Sequence, residues 1–209
     1  MADLGVALIG AGMVAGTHLA AIRAADGVRL AGVWSRDGGR ARAAAGDGHV
    51  FDSIDDVAAD GAVDFAIVAT PPNARAGVIA PLAAAGKPVL LEKPVARDGA
   101  EARAVVEMCE GAKVPLGIVF QHRMRAASRK AAELVAAGDL GALGLAEIAV
   151  PWWREQSYYD DPGRGTYVRD GGGVLISQAI HTIDLALALT GPVQTVQAMT
   201  ATTRFHDME

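Results

Sequence analysis

The sequence predicts an α/β protein whose first part is a doubly wound parallel sheet. Short apolar runs alternate with helical patterns at a spacing of roughly thirty residues per unit. A glycine-rich turn, GAGMVAG, joins the first apolar run to the first helical pattern. Near residue 122 the alternation stops, and a polar, aromatic and glycine-rich segment appears further on, over 154–173.

Residues 4–9, LGVALI, are continuously apolar and end at the glycine turn, which marks a buried strand. THLAAIRAA follows as a helix and VRLAGVWS as the second strand. FDSIDDVAAD reads as a short helix, and VDFAIVAT (63–70) as a third strand closed by PPN. ARAGVIAPLAAAG is a helix, KPVLLEKP a fourth strand and turn, DGAEARAVVEMCEGA a helix and VPLGIVFQ a fifth strand. Beyond residue 122, RKAAELVAAGDLGAL reads as a helix and GLAEIAVPWW (144–153) as a strand. A polar segment covers 154–173, followed by a helix over 174–189 and a strand over 193–202. The shift near 120 gives two domains, 1–120 and 121–209.

With 19 basic against 24 acidic residues the chain carries a net charge of −5 at pH 7, which argues against a nucleic-acid partner. The lone Cys109 cannot close an internal disulfide and reads as a small buried hydrophobe, which fits a reducing cytoplasm. The N-terminus has neither a basic segment nor a long apolar span, so no signal peptide, no membrane helix and a cytoplasmic location are expected. The five histidines are scattered, and no metal site is expected.

The turn after the first strand has the spacing of a dinucleotide loop, from Gly10 through Ala11, Gly12, Met13 and Val14. Gly10 permits a tight turn, and Gly12 lets a pyrophosphate approach the backbone. A small residue, Ala15 or Gly16, lets helix and strand pack closely. The helix N-terminus then offers N–H groups to the phosphates. An NAD site places an acid after the second strand for the ribose 2′-hydroxyl. Here Ser35 and Arg36 stand there and Asp37 comes late, so a 2′-phosphate, and hence NADP over NAD, is favoured. Arg40 either reaches that phosphate or faces water.

Glu92, Lys93 and Pro94 end the fourth strand, on the edge where open parallel sheets bind ligands. Pro94 biases Lys93 to an extended backbone and is open to the cis form. In GGGVLISQAIHTID (171–184), Ser177, His181 and Asp184 share one helix face. Ile176, Ile180, Ile183 and Leu187 form an apolar stripe beside them. The helix is therefore expected to bury its stripe and show the polar row to a cleft. Asp184 either orients the imidazole or bonds backbone elsewhere.

The order and spacing of GAGMVAGTH, GKPVLLEKP and GGGVLISQAIHTIDL resemble the Gfo/Idh/MocA family of NAD(P)-dependent oxidoreductases, over the whole chain. ATPPN (69–73) and GIVFQHRM (117–124) are similar to family segments that border the nicotinamide. The resemblance implies an N-terminal Rossmann domain and a C-terminal α+β domain with a mainly antiparallel sheet. Members are longer, so the second domain is read as truncated.

It also implies hydride transfer between NAD(P) and a secondary hydroxyl of a sugar, cyclitol or sugar nucleotide. His181 maps to the base and Lys93 to the group that binds the hydroxyl oxygen. Cofactor contacts map to Gly10, Ala11, Gly12, Met13, Val14, Ser35, Arg36, Thr70, Pro71, Asn73, Glu92, Lys93 and Gln121. Substrate contacts are expected from Lys93, Arg154, Tyr158, Ser177 and His181, with Arg123 and Gln121 on the cleft floor. Trp152 and Trp153 are expected in the core or on a stacking face. Ser177 stands where many members carry aspartate, and Ala76 where many carry histidine. Members form homo-oligomers through the open face of the C-terminal sheet, a route that truncation weakens. A non-catalytic NAD(P)-binding or regulatory protein and an inactive fragment are the alternative readings.

Overall fold

The apolar runs of the first 120 residues become five parallel strands of one sheet. They are β1 (Leu4–Ile9), β2 (Val28–Trp34), β3 (Phe65–Val68), β4 (Val89–Glu92) and β5 (Leu116–Val119), in the order β2-β1-β3-β4-β5. The structure is a computed structural model that describes residues 2–201. It divides into two units, Met1–Val119 and Phe120–Glu209.

Val50 adds a single parallel bridge to Val33 at the β2 edge. Val33 N–H donates to His49 O and Phe51 N–H donates to Val33 O, each at 3.0 Å. Counting this bridge as a strand, the order across the sheet runs three, two, one, four, five, six, the dinucleotide-binding order. GHVFD is too short to register as an apolar run, so the sequence reading lacks it.

The strands alternate their side chains between two buried layers, as a sheet covered on both faces requires. Val6 and Leu8 of β1 pack into one layer with Ile67, and Ala7 and Ile9 into the other with Val68 and Leu91. Helices α1 (Ala15–Ala24), α2 (Gly38–Ala45), α3 (Ile54–Ala59), α4 (Arg75–Ala84) and α5 (Gly99–Gly111) connect the strands. The glycines and arginines of GGRARAAA mask α2 in the sequence. It forms because the Asp37 carboxylate accepts from Gly39 N–H and Arg40 N–H at 3.0 and 3.1 Å. Ser53 and Asp56 start α3 with a reciprocal capping box, and Asp98 caps α5. Cys109 is buried in this unit, and burial pushes its thiol above its ordinary pKa.

The second unit holds α6 (Gln121–Met124), α7 (Ala126–Ala137), α8 (Gln156–Tyr159) and α9 (Tyr167–Asp170). A π-helical turn, Leu175–Ala179, leads into α10 (Ile180–Thr190). Gly138, in a left-handed conformation, ends α7 before the stretch read as its last turn. The strands read over 144–153 and 193–202 do not form within the described residues, and Thr202 lies outside them. A strand exists only by pairing, and among the described residues neither segment pairs with another strand. Leu145 and Val196 stay exposed instead.

The orientation expected of the last helix is reversed. His181 and Asp184 are 5% and 8% exposed, whereas Ile183 and Leu187 of the apolar stripe are 39% and 37% exposed. The polar row faces α6, which supplies polar partners. Ile183 and Leu187 line an open trough of about 450 Å³ with Leu143, Leu145 and Ile148. The span Tyr167–Thr190 is long and apolar enough to cross a membrane, at a mean hydropathy of 1.4. It is interrupted at 171–173 and carries Gln178, His181 and Asp184 on its buried side, while 28% of its most apolar window is buried.

Candidate functional site

In the first unit β1 runs into the glycine turn at the switch point of the sheet, between β2 and β3. Gly10 adopts φ +103, and a Cβ there would lie 2.9 Å from the Ala69 carbonyl carbon of the loop after β3. Only glycine closes this turn. Gly12 differs: a Cβ there would meet nothing within 4 Å. It faces open space at the mouth of the crevice, and Met13 beside it is exposed. Helix α1 begins at Val14 with no side-chain cap and no acidic residue in its first turn. A helix N-terminus without a side-chain cap, behind an open glycine, suits the charge and bulk of a pyrophosphate. Thr70 Oγ1, at the neighbouring strand end, is buried without a hydrogen-bond partner, as a ligand-facing hydroxyl would be. These residues fit a dinucleotide.

At the end of β2, Ser35 Oγ accepts from Asp37 N–H at 3.4 Å, and Arg36 is exposed. Asp37 is occupied by its cap on α2 and by Arg40, 3.4 Å away.

Glu92 and Lys93 close β4, and the Lys93–Pro94 peptide is cis. Glu92 Oε1 meets His18 Nε2 of α1 at 2.9 Å, and Oε2 accepts from Lys93 N–H at 3.2 Å. Burial pushes the Glu92 carboxyl up. The His18 hydrogen bond and charge, with those of Lys93, outweigh burial and hold it below its ordinary value. Each oxygen keeps a second lone pair for a ribose hydroxyl. Arg75, 2% exposed, donates from Nε and Nη2 to Thr70 O at 3.1 Å and from Nη2 to Lys93 O at 3.4 Å. It ties the loop after β3, with Thr70, Pro71 and Asn73, to the Lys93 turn. The sequence reading assigned no role to His18 or Arg75. Their only signal was polarity at helical positions that face a buried sheet.

In the second unit His181 is buried against α6. Gln121 Nε2 lies 3.5 Å from His181 Nε2, and the His122 ring centroid is 5.0 Å from that of His181. Burial and the Arg125 charge push His122 below its ordinary pKa, so it is neutral at pH 7. Asp184 takes neither role expected of it. Its carboxylate accepts a fork from Arg123, Nε to Oδ2 at 2.5 Å and Nη2 to Oδ1 at 2.6 Å. A guanidinium satisfies a buried carboxylate with two parallel bonds, which an imidazole cannot do. Arg123 is thus committed to Asp184 rather than to a cleft floor.

Ser177 Oγ donates to Gly173 O at 2.8 Å and lies 2.6 Å from Gln178 Oε1. Its proton is engaged inside the π turn. Gln178 Nε2 is buried with no hydrogen-bond partner. Tyr158 and Arg154 come together. The Arg154 and Arg164 guanidinium carbons lie 5.6 and 4.5 Å from the Tyr158 ring centroid. Trp152 and Trp153 are exposed, not core, because the segment before α8 packs into no layer. Trp152 meets the His122 ring edge-on at 5.5 Å.

Residues 4–120 match the Gfo/Idh/MocA oxidoreductase family, NAD-binding Rossmann fold, and residues 128–209 match the Gfo/Idh/MocA C-terminal domain. The rhizopine catabolism protein MocA of Rhizobium meliloti is 30% identical over 88% of this chain and 56% of its own length. An inositol 2-dehydrogenase of Leifsonia xyli is 37% identical over 68% of this chain and 43% of its own. The WlbA dehydrogenase of Bordetella pertussis, solved with NADH and UDP-GlcNAcA, superposes with a TM-score of 0.91 at 31% identity. That match covers 99% of this chain and 60% of WlbA. The chain therefore spans about half the length of the curated relatives it matches. With a dinucleotide-type sheet order, an open glycine turn and both family domains matched, the chain belongs to the Gfo/Idh/MocA family of oxidoreductases.

Proposed function

We propose that the protein moves a hydride between NAD(P) and a secondary hydroxyl of a sugar, cyclitol or sugar nucleotide. The observation that carries this is the Gly10–Gly12 turn, open at Gly12 and backed by the uncapped α1. Gly10, Ala11, Gly12, Met13 and Val14 hold the pyrophosphate. Thr70, Pro71, Asn73 and Glu92 hold the nicotinamide end, where the bound cofactor supplies the hydride acceptor or donor. Gln121 joins them.

Ser35 and Arg36 favour NADP. They offer a hydroxyl and an exposed guanidinium, while the nearby acid, Asp37, is occupied by α2 and Arg40. His181 takes the hydroxyl proton, the general-base role an imidazole commonly fills. Lys93 bonds the same oxygen and stabilises its developing negative charge. Arg154, Tyr158 and Ser177 hydrogen-bond the remaining hydroxyl or acidic groups of the substrate. The substrate class draws support from the inositol dehydrogenase and from WlbA, whose structure holds UDP-GlcNAcA.

The test follows reduced-cofactor absorbance with aldoses, inositols, uronates and sugar nucleotides. Turnover of at least one class is expected. Cofactor binding without turnover across the whole panel would contradict the catalytic reading.

A further inference from the structure

We infer that Arg123 is a positioning residue for His181, acting through Asp184. The inference rests on the reading of His181 as the base. Helix α6 is a single turn, and three consecutive side chains of it meet α10. Gln121 Nε2 is 3.5 Å from His181 Nε2, the His122 ring lies beside the His181 ring tilted by 33°, and Arg123 forks onto Asp184. Arg123 Nη2 also reaches the Asp184 carbonyl at 3.4 Å. His181 and Asp184 are three residues apart, so they share a helix face.

The first two contacts are weak in direction. A 3.5 Å amide–imidazole approach is at the limit of a hydrogen bond, and a tilted ring contact tolerates rotation. The fork is different. Two parallel charge-assisted bonds fix angle as well as distance, which a lysine in the same place does not. Anchored one turn beyond His181, the fork fixes the rotation of α10 about its own axis. Two features make that necessary. The helix starts from the π turn at 175–179, whose extra residue shifts the phase of everything after it. Ile183 and Leu187 of its apolar stripe face the open trough rather than a packed layer, so apolar burial on that side does little to lock the rotation.

The test compares Arg123→Lys with the wild-type chain. His181 ring resonances are followed by NMR at fixed pH, assigned with His181→Gln, together with Tm, kcat and KM. Arg123→Lys is expected to shift or broaden the His181 resonances and lower kcat roughly 10- to 100-fold with KM for the cofactor unchanged. A folded Arg123→Lys variant with wild-type His181 resonances would overturn the inference, as would a lowered Tm with those resonances unmoved. Should Arg123→Lys not fold, the double variant Arg123→Met with Asp184→Leu, which leaves no orphaned charge, gives the same readout. The base reading fails separately, if His181→Ala keeps full turnover. The resonance shift decides the positioning role in either case.

Discussion

His18 Nε2 lies 2.9 Å from Glu92 Oε1, joining the first helix of the Rossmann unit to the turn that carries Lys93. Both side chains are nearly closed to solvent. Glu92 titrates below its ordinary value of 4.5 in the folded protein. A carboxyl whose folded pKa is depressed contributes stability that is fully present above the unfolded value. That stability is lost as pH falls through the folded one. Wild-type stability should therefore fall below pH 4.5 more steeply than that of Glu92→Gln, in urea unfolding across that range. At neutral pH, His18→Leu should cost about 1–3 kcal/mol, because it leaves Oε1 of a largely buried carboxylate without its partner. Equal midpoints for His18→Leu and wild type would remove the pair from the stability of this unit.

The two glycines of the turn should separate folding from binding. Gly10→Ala places a Cβ against the Ala69 backbone at a positive φ and should destabilise the fold by more than about 1 kcal/mol. Gly12→Ala meets no protein atom, so its Tm without nucleotide should match wild type. Its dinucleotide affinity should fall roughly tenfold or more, since the methyl occupies the pyrophosphate approach. Equal affinity for Gly12→Ala and wild type, by fluorescence titration with NADPH, would locate the phosphates elsewhere.

Cofactor choice should rest on Arg36. A charge-assisted bond to a 2′-phosphate contributes about 1.5–3 kcal/mol, so Arg36→Ala should weaken NADPH roughly 10- to 100-fold and leave NADH unchanged. Parallel loss for both nucleotides would show that Arg36 does not read the 2′ position.

For the chemistry, His181→Ala should lower turnover roughly 10²- to 10⁴-fold while cofactor affinity stays intact. Single-turnover rates with a verified substrate measure this without interference from product release. An unchanged rate would take His181 out of the mechanism.

The parallel sheet was legible because apolar runs buried on both faces stand out against their helices, Gly10 because its turn admits no other residue, and Gly12 because it keeps the spacing of a dinucleotide loop. Val50 and α2 were not, since one bridges through a single residue and the other relies on its Asp37 cap rather than on propensity. Periodicity identified the face that carries Ser177, His181 and Asp184, but not what that face meets. His18 and Arg123 find their partners 74 and 61 residues away, and no local pattern encodes such pairings. The strands read over 144–153 and 193–202 show the converse failure, because β-like composition supplies no neighbour to pair with.

The most direct measurement is calorimetric titration of the chain with NAD⁺, NADH, NADP⁺ and NADPH. Saturable binding to a single site is expected, tighter for the phosphorylated pair. Absence of binding by all four to the folded chain would contradict the dinucleotide site at the Gly10–Gly12 turn, and with it the proposed hydride chemistry.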